Sequence, residues 1–75
     1  MNYDISTPKG MANSVAWTKQ LFNMMIDGAV WHVPRSLTRI RVFKSKKEVE
    51  VTRGLAPDDS IERVIKAMGW TVTIL

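Results

Sequence analysis

Seven of the eleven Lys and Arg residues in this 75-residue chain fall within nineteen consecutive positions: Arg35, Arg39, Arg41, Lys44, Lys46, Lys47 and Arg53. Cations at that density neutralise phosphates and release their counterions. The residues flanking Lys44-Ser45-Lys46-Lys47 alternate apolar and polar, so the cluster reads as a basic β-hairpin able to enter a groove or lie along a nucleic-acid backbone. Arg35, Arg39, Lys44, Lys46 and Lys47 are the expected phosphate contacts, and Trp31 and Phe43 are the aromatic groups available for stacking on unpaired bases. Three features count the other way. Arg41 has Glu50 as a cross-strand partner, Glu48 dilutes the patch, and edge strands carry Lys simply to block aggregation.

Other chemistry finds few residues. The one histidine, His32, lies in an alternating segment with no Ser or Asp at a motif spacing, and it reads as a sheet side chain. There is no cysteine, which excludes disulfides, thiolate metal sites and cysteine nucleophiles. Asp58-Asp59 stands where a helix N-terminus favours negative charge. The four glycines are isolated and form no phosphate loop. The chain therefore reads as non-enzymatic, with no catalytic residues, cofactor or metal.

The elements that must position the basic cluster follow from periodicity. Residues 1–10 hold turn formers and read as a flexible leader ordered only near Thr7-Pro8. Residues 11–75 read as a single domain. From Met11 to Ile26, Met11, Val15, Thr18, Phe22 and Met25 form one helical stripe and Trp17, Leu21 and Met24 a second. Asn13 or Ser14 is the expected cap, with Asp27-Gly28 as the stop. Ala29–Val33 alternates as a strand that Pro34 ends, and Pro34–Ser36 turns into the hairpin. There, Val42 should face Val49 and Ile40 face Val51, with Arg41 opposite Glu50, Phe43 opposite Glu48 and Arg39 opposite Thr52. Asp59 and Glu62 read as a capping box for a helix whose apolar stripe is Ile61, Val64, Ile65 and Met68, ended by Gly69. Trp70–Leu75 closes the chain as a strand. The order α-β-β-β-α-β implies an α+β two-layer sandwich: a small, mostly antiparallel sheet packed by two helices. Whether the last strand pairs beside the first or the third is left open by the pattern.

Apolar residues make up 45% of the chain, enough for a small core, and the formal net charge of +4 favours polyanionic partners. No apolar run approaches a membrane span, and MNYDISTPKG has neither region of a signal peptide. These features and the lack of cysteine suit a cytoplasmic setting. The wide apolar face of the first helix offers a protein interface through Met11, Trp17, Leu21, Met24 and Met25, because Met adapts to irregular surfaces. Homodimerisation would be one use of it.

The segments WHVPRS (Trp31–Ser36) and SIERVIKAMGW (Ser60–Trp70) resemble those of small early proteins of tailed bacteriophages, podophage-like, over roughly residue 27 to the last. In topology alone, strand–strand–helix–strand also resembles small phage inhibitors of host RNA polymerase. The resemblance implies a host-takeover role in the host cytoplasm and maps no binding residue onto this chain. The expected function is DNA binding through the basic hairpin. The alternatives are an inhibitor or adaptor of a host protein, such as RNA polymerase or a nucleoid-associated protein, and a self-associating structural subunit.

Overall fold

Alternation on either side of the lysine-rich loop builds the centre of the molecule. The computed structural model describes residues 2–33, 37–54 and 59–75. Strands β1 (Val30–His32), β2 (Arg39–Phe43) and β3 (Glu48–Thr52) form an antiparallel meander. In the β2–β3 hairpin Val42 faces Val49, Ile40 faces Val51, Arg41 faces Glu50, Phe43 faces Glu48 and Arg39 faces Thr52, which is the register expected from the sequence. Ile40, Val42, Val49 and Val51 are fully buried on one side, and the side chains between them point the other way.

Helix α1 (Pro8–Met24) precedes the meander, and α2 (Ser60–Ala67) connects it to β4 (Thr71–Ile74). β4 pairs parallel with β3, giving the strand order β1-β2-β3-β4. A parallel neighbour needs a crossover rather than a tight turn, and α2 supplies it. Phe22 of α1 and Ile65 of α2 join the four buried valine and isoleucine side chains of the hairpin in one cluster. Both helices therefore cover the same face, completing the two-layer α+β arrangement. The opposite face carries no helix among the described residues.

Several boundaries differ from the sequence reading. Helix α1 starts at Pro8, not Met11, because Thr7 is extended (φ −111°, ψ 148°) and its Oγ1 accepts from the Gly10 N–H at 3.1 Å. Proline in the first turn sacrifices no helical bond. Asn13 and Ser14 are not caps but lie inside the helix. Asn13 Nδ2 donates to the Asn2 carbonyl at 2.8 Å and Ser14 Oγ to the Tyr3 carbonyl at 3.2 Å, so residues 2–7 fold back along α1. The helix ends at Met24, and Gly28 (φ +85°) serves the turn after it: the Ala29 N–H reaches the Ile26 carbonyl at 2.9 Å.

The capping box at α2 does not form. Asp59 occupies the cap position with φ −86° and ψ 3° and makes no side-chain cap bond. Glu62 is engaged elsewhere, by Arg53. Gly69 does take the left-handed conformation (φ +86°) expected after the last turn.

Candidate nucleic-acid interface

The helix-free face is assembled from cross-strand rows. His32, Arg39 and Thr52 make one row, Val30, Arg41 and Glu50 the next, and Phe43 and Glu48 a third. Arg39, Arg41 and Phe43 thus stand in line along β2, two residues apart on one side of a strand, about 7 Å per step. The carboxylates Glu48 and Glu50 lie on β3, so the cationic edge of the face runs along β2 toward β1. Although Arg41 is opposite Glu50, the ion pair formed among the described residues is Arg53–Glu62. Arg39 and Arg41 are both exposed. They rim a shallow pocket of about 250 Å³ with Val30, His32, Glu50 and Leu75.

The hairpin loop continues this line. The Lys46 N–H donates to the Phe43 carbonyl at 3.1 Å and the Lys47 N–H to the Lys44 carbonyl at 3.3 Å, while Lys47 takes φ +53°. Four-residue hairpin loops are built in this way when Asn-Gly is absent. Side-chain bonds fasten the loop to the body: Ser45 Oγ donates to Asp27 Oδ2 at 2.6 Å, and Lys44 Nζ to the Asn23 carbonyl at 3.3 Å. The Ser45 hydroxyl, with a smaller contribution from Lys44, holds the Asp27 carboxyl below the usual aspartate range. Helix α1 has no basic residue in its own last turn, and Lys44 supplies a cation to its carbonyl end from the hairpin. Lys46 and Lys47 remain exposed, with the Lys46 ammonium 5.8 Å from the Phe43 ring centroid.

The predicted site residues therefore divide. Arg39, Lys46, Lys47 and Phe43 come together on the open face and its loop, and Arg41 joins them. Lys44 is half-buried against α1. Trp31 lies off the open face: it points to the helix side, its ring centroid 6.0 Å from those of both Trp17 and Phe22. Odd and even positions of β1 face opposite ways, and Trp31 takes the parity that packs on the core. Arg35 and the Pro34–Ser36 turn lie outside the described residues, as does Asp58.

Among the residues expected at a protein interface, Leu21 and Met25 pack against the core, and Met11 is half-buried. Met24 is 78% exposed and Trp17 47% exposed, and they are accompanied by Ile26 at 82%, which the helical stripes did not single out. Sequence reasoning also missed a cavity of about 480 Å³ lined by Tyr3, Ile5, Trp17, Val33, Ile61 and Val64. Its far wall is the leader, whose lack of periodicity gave no sign that it folds back. No group of three or more potential metal ligands occurs among the described residues, and none of their helices is long and apolar enough to cross a membrane. No protein-family model, curated protein or solved structure matches this chain.

Proposed function

We propose that the chain is a small non-enzymatic protein that binds nucleic acid, DNA foremost, on its helix-free sheet face and hairpin loop. The observation that carries this reading is the line Arg39–Arg41–Phe43, which runs into the exposed Lys46 and Lys47. A backbone following β2 would meet cations along its length and one aromatic ring among them. That combination of charged track and stacking platform suits an unpaired strand. The loop, fastened by Ser45–Asp27 and Lys44–Asn23, is held in place before any ligand arrives, which reduces the ordering cost of binding. A phage-encoded chain of this kind would act on host DNA, the setting implied by the resemblance.

The test is a titration with short single-stranded and duplex DNA at ~50 and ~200 mM salt, a span over which phosphate-driven affinity collapses. Micromolar binding with a steep salt slope supports the reading. Absence of binding at low salt overturns it.

A second reading, an adaptor for a host protein, is favoured by the exposed Met24 and Ile26 at the end of α1. Its signature would be affinity carried by apolar contact and largely indifferent to salt.

A further inference from the structure

We infer that β4 is a self-pairing edge and that two copies of the chain join through it into one continuous sheet. β4 lies at the end of the strand order, with no described strand on its outer side. Natural edges are protected by charge, proline, bulges or short length. The other edge, β1, has three strand residues and is followed in sequence by Pro34. β4, at four residues, is also short, but it has neither a charged side chain nor proline. From Thr71 to Leu75 the sequence reads TVTIL, without a charged side chain or proline, and Ile74 and Leu75 are 43% and 71% exposed.

The hydrogen-bonding groups fix how a second copy would fit. The Thr71 N–H donates to the Lys47 carbonyl at 3.0 Å and the Leu75 N–H to the Val51 carbonyl at 2.8 Å. Backbone groups alternate sides along a strand, so residues 71, 73 and 75 turn theirs toward β3, and Val72 and Ile74 turn theirs outward. An antiparallel pair centred on Thr73 then places Val72 opposite Ile74 of the second copy as a bonded pair, and Ile74 opposite its Val72. Four backbone bonds form, and Thr73 faces its own counterpart on the two-fold axis as a non-bonded pair.

Side chains agree with that register. Thr against Thr is a favourable cross-strand pair, and a strand without charged side chains sets no like-charged side chains opposite each other. Val72 and Ile74 would meet on the helix side, continuing the core and covering the exposed part of Ile74. Thr71 would lie opposite Leu75 on the open face. Because the axis stands upright on the sheet, the two open faces would share one side. If the proposed nucleic-acid reading holds, the dimer presents two cationic tracks to one strand. The dimer itself does not depend on that reading.

An edge of this length buries less than the ~1,600 Å² of a standard interface, so self-association should be weak and concentration-dependent. Sedimentation of the full chain without nucleic acid should show monomer at low concentration and dimer at high. Thr73→Lys, which places two ammonium groups on the axis, should hold the chain monomeric at unchanged circular dichroism. The register is tested by cysteine placement in a chain that has none. Residues opposite each other in a non-bonded pair approach within disulfide reach, at ~4.5 Å between Cα atoms. Thr73→Cys should therefore cross-link to its counterpart under mild oxidation. Thr71→Cys, offset from its own counterpart by four residues, should not. A strict monomer at all concentrations, or equal cross-linking by the two variants, would overturn the inference.

Discussion

Arg53 grips Glu62 through two parallel bonds, Nε to Oε1 and Nη2 to Oε2, each 2.9 Å. The pair joins the chain just after β3 to the first turn of α2. Glu62 is 4% exposed, and both of its carboxylate oxygens accept from this guanidinium, so the fork compensates a buried carboxylate. The Arg53 bonds lower the Glu62 carboxyl below the usual glutamate range, against the opposing effect of burial.

Removing one partner should cost more than removing both. Arg53→Met strands a buried charge and is expected to lower the melting temperature by roughly 5 °C or more, whereas Arg53→Met combined with Glu62→Met restores much of that loss. The sign with pH follows from the depressed carboxyl. The contribution is fully present above the ordinary glutamate value and is lost as pH falls through the lower, folded one. Thermal melts across acidic pH should show this loss in the parent chain and a flatter profile in the double variant.

The lysines of the hairpin loop should not be equivalent. Lys46→Ala with Lys47→Ala removes two exposed cations, so the log–log salt slope of DNA binding should flatten by about 2. Lys44→Ala removes the cation at the end of α1. It should reduce helix stability while changing the salt slope less than either exposed lysine. Equal slope changes for all three would contradict the division.

The β2–β3 register could be read from sequence because each strand has a buried and a solvated face, and a one-residue shift would exchange Ile40 and Val42 for arginines. The left-handed Gly69 was legible for a similar reason, since only glycine accepts that conformation without strain. The start of α1 was not. Its buried line is Gly10, Ser14, Thr18 and Phe22, of which Gly10 and Ser14 escape a hydropathy pattern. Hydroxyl-to-carbonyl bonds make that line compatible with burial, Thr18 Oγ1 to the Ser14 carbonyl at 2.8 Å among them. Glu62 had the spacing of a capping box, and the competing partner, Arg53, lies nine positions away, beyond the reach of a local pattern. The open face was legible as alternation, but which aromatic residue belonged to it depended on strand parity, and this separates Phe43 from Trp31.

Gly69 follows the last turn of α2 and leads through Trp70 into β4. Gly69→Ala has open space for its Cβ, so the cost comes from the backbone at φ +86° alone. That strain is about 1–2 kcal/mol, and chemical denaturation should report it as a lower midpoint with an unchanged slope. Gly69→Asn, which tolerates the left-handed region better, should recover part of the loss.

Gly10 is constrained by space rather than by its own backbone angles. A Cβ added there would run into the backbone of Asp4. That backbone is placed by the turn before α1, in which Ser6 N–H and Oγ both donate to Asp4 Oδ1, at 3.0 and 2.7 Å, and the Thr7 N–H donates to the Asp4 carbonyl at 3.2 Å. Alanine favours a helix interior over glycine by roughly 1 kcal/mol, so propensity alone predicts that Gly10→Ala stabilises α1. The collision predicts that the leader is displaced, taking Tyr3 and Ile5 from the wall of the cavity beside Trp17. Limited proteolysis separates the two effects. Faster cleavage within residues 2–7, with little change in the melting of the body, is the expected result. Unaltered cleavage with a raised melting temperature would mean that the leader does not depend on Gly10.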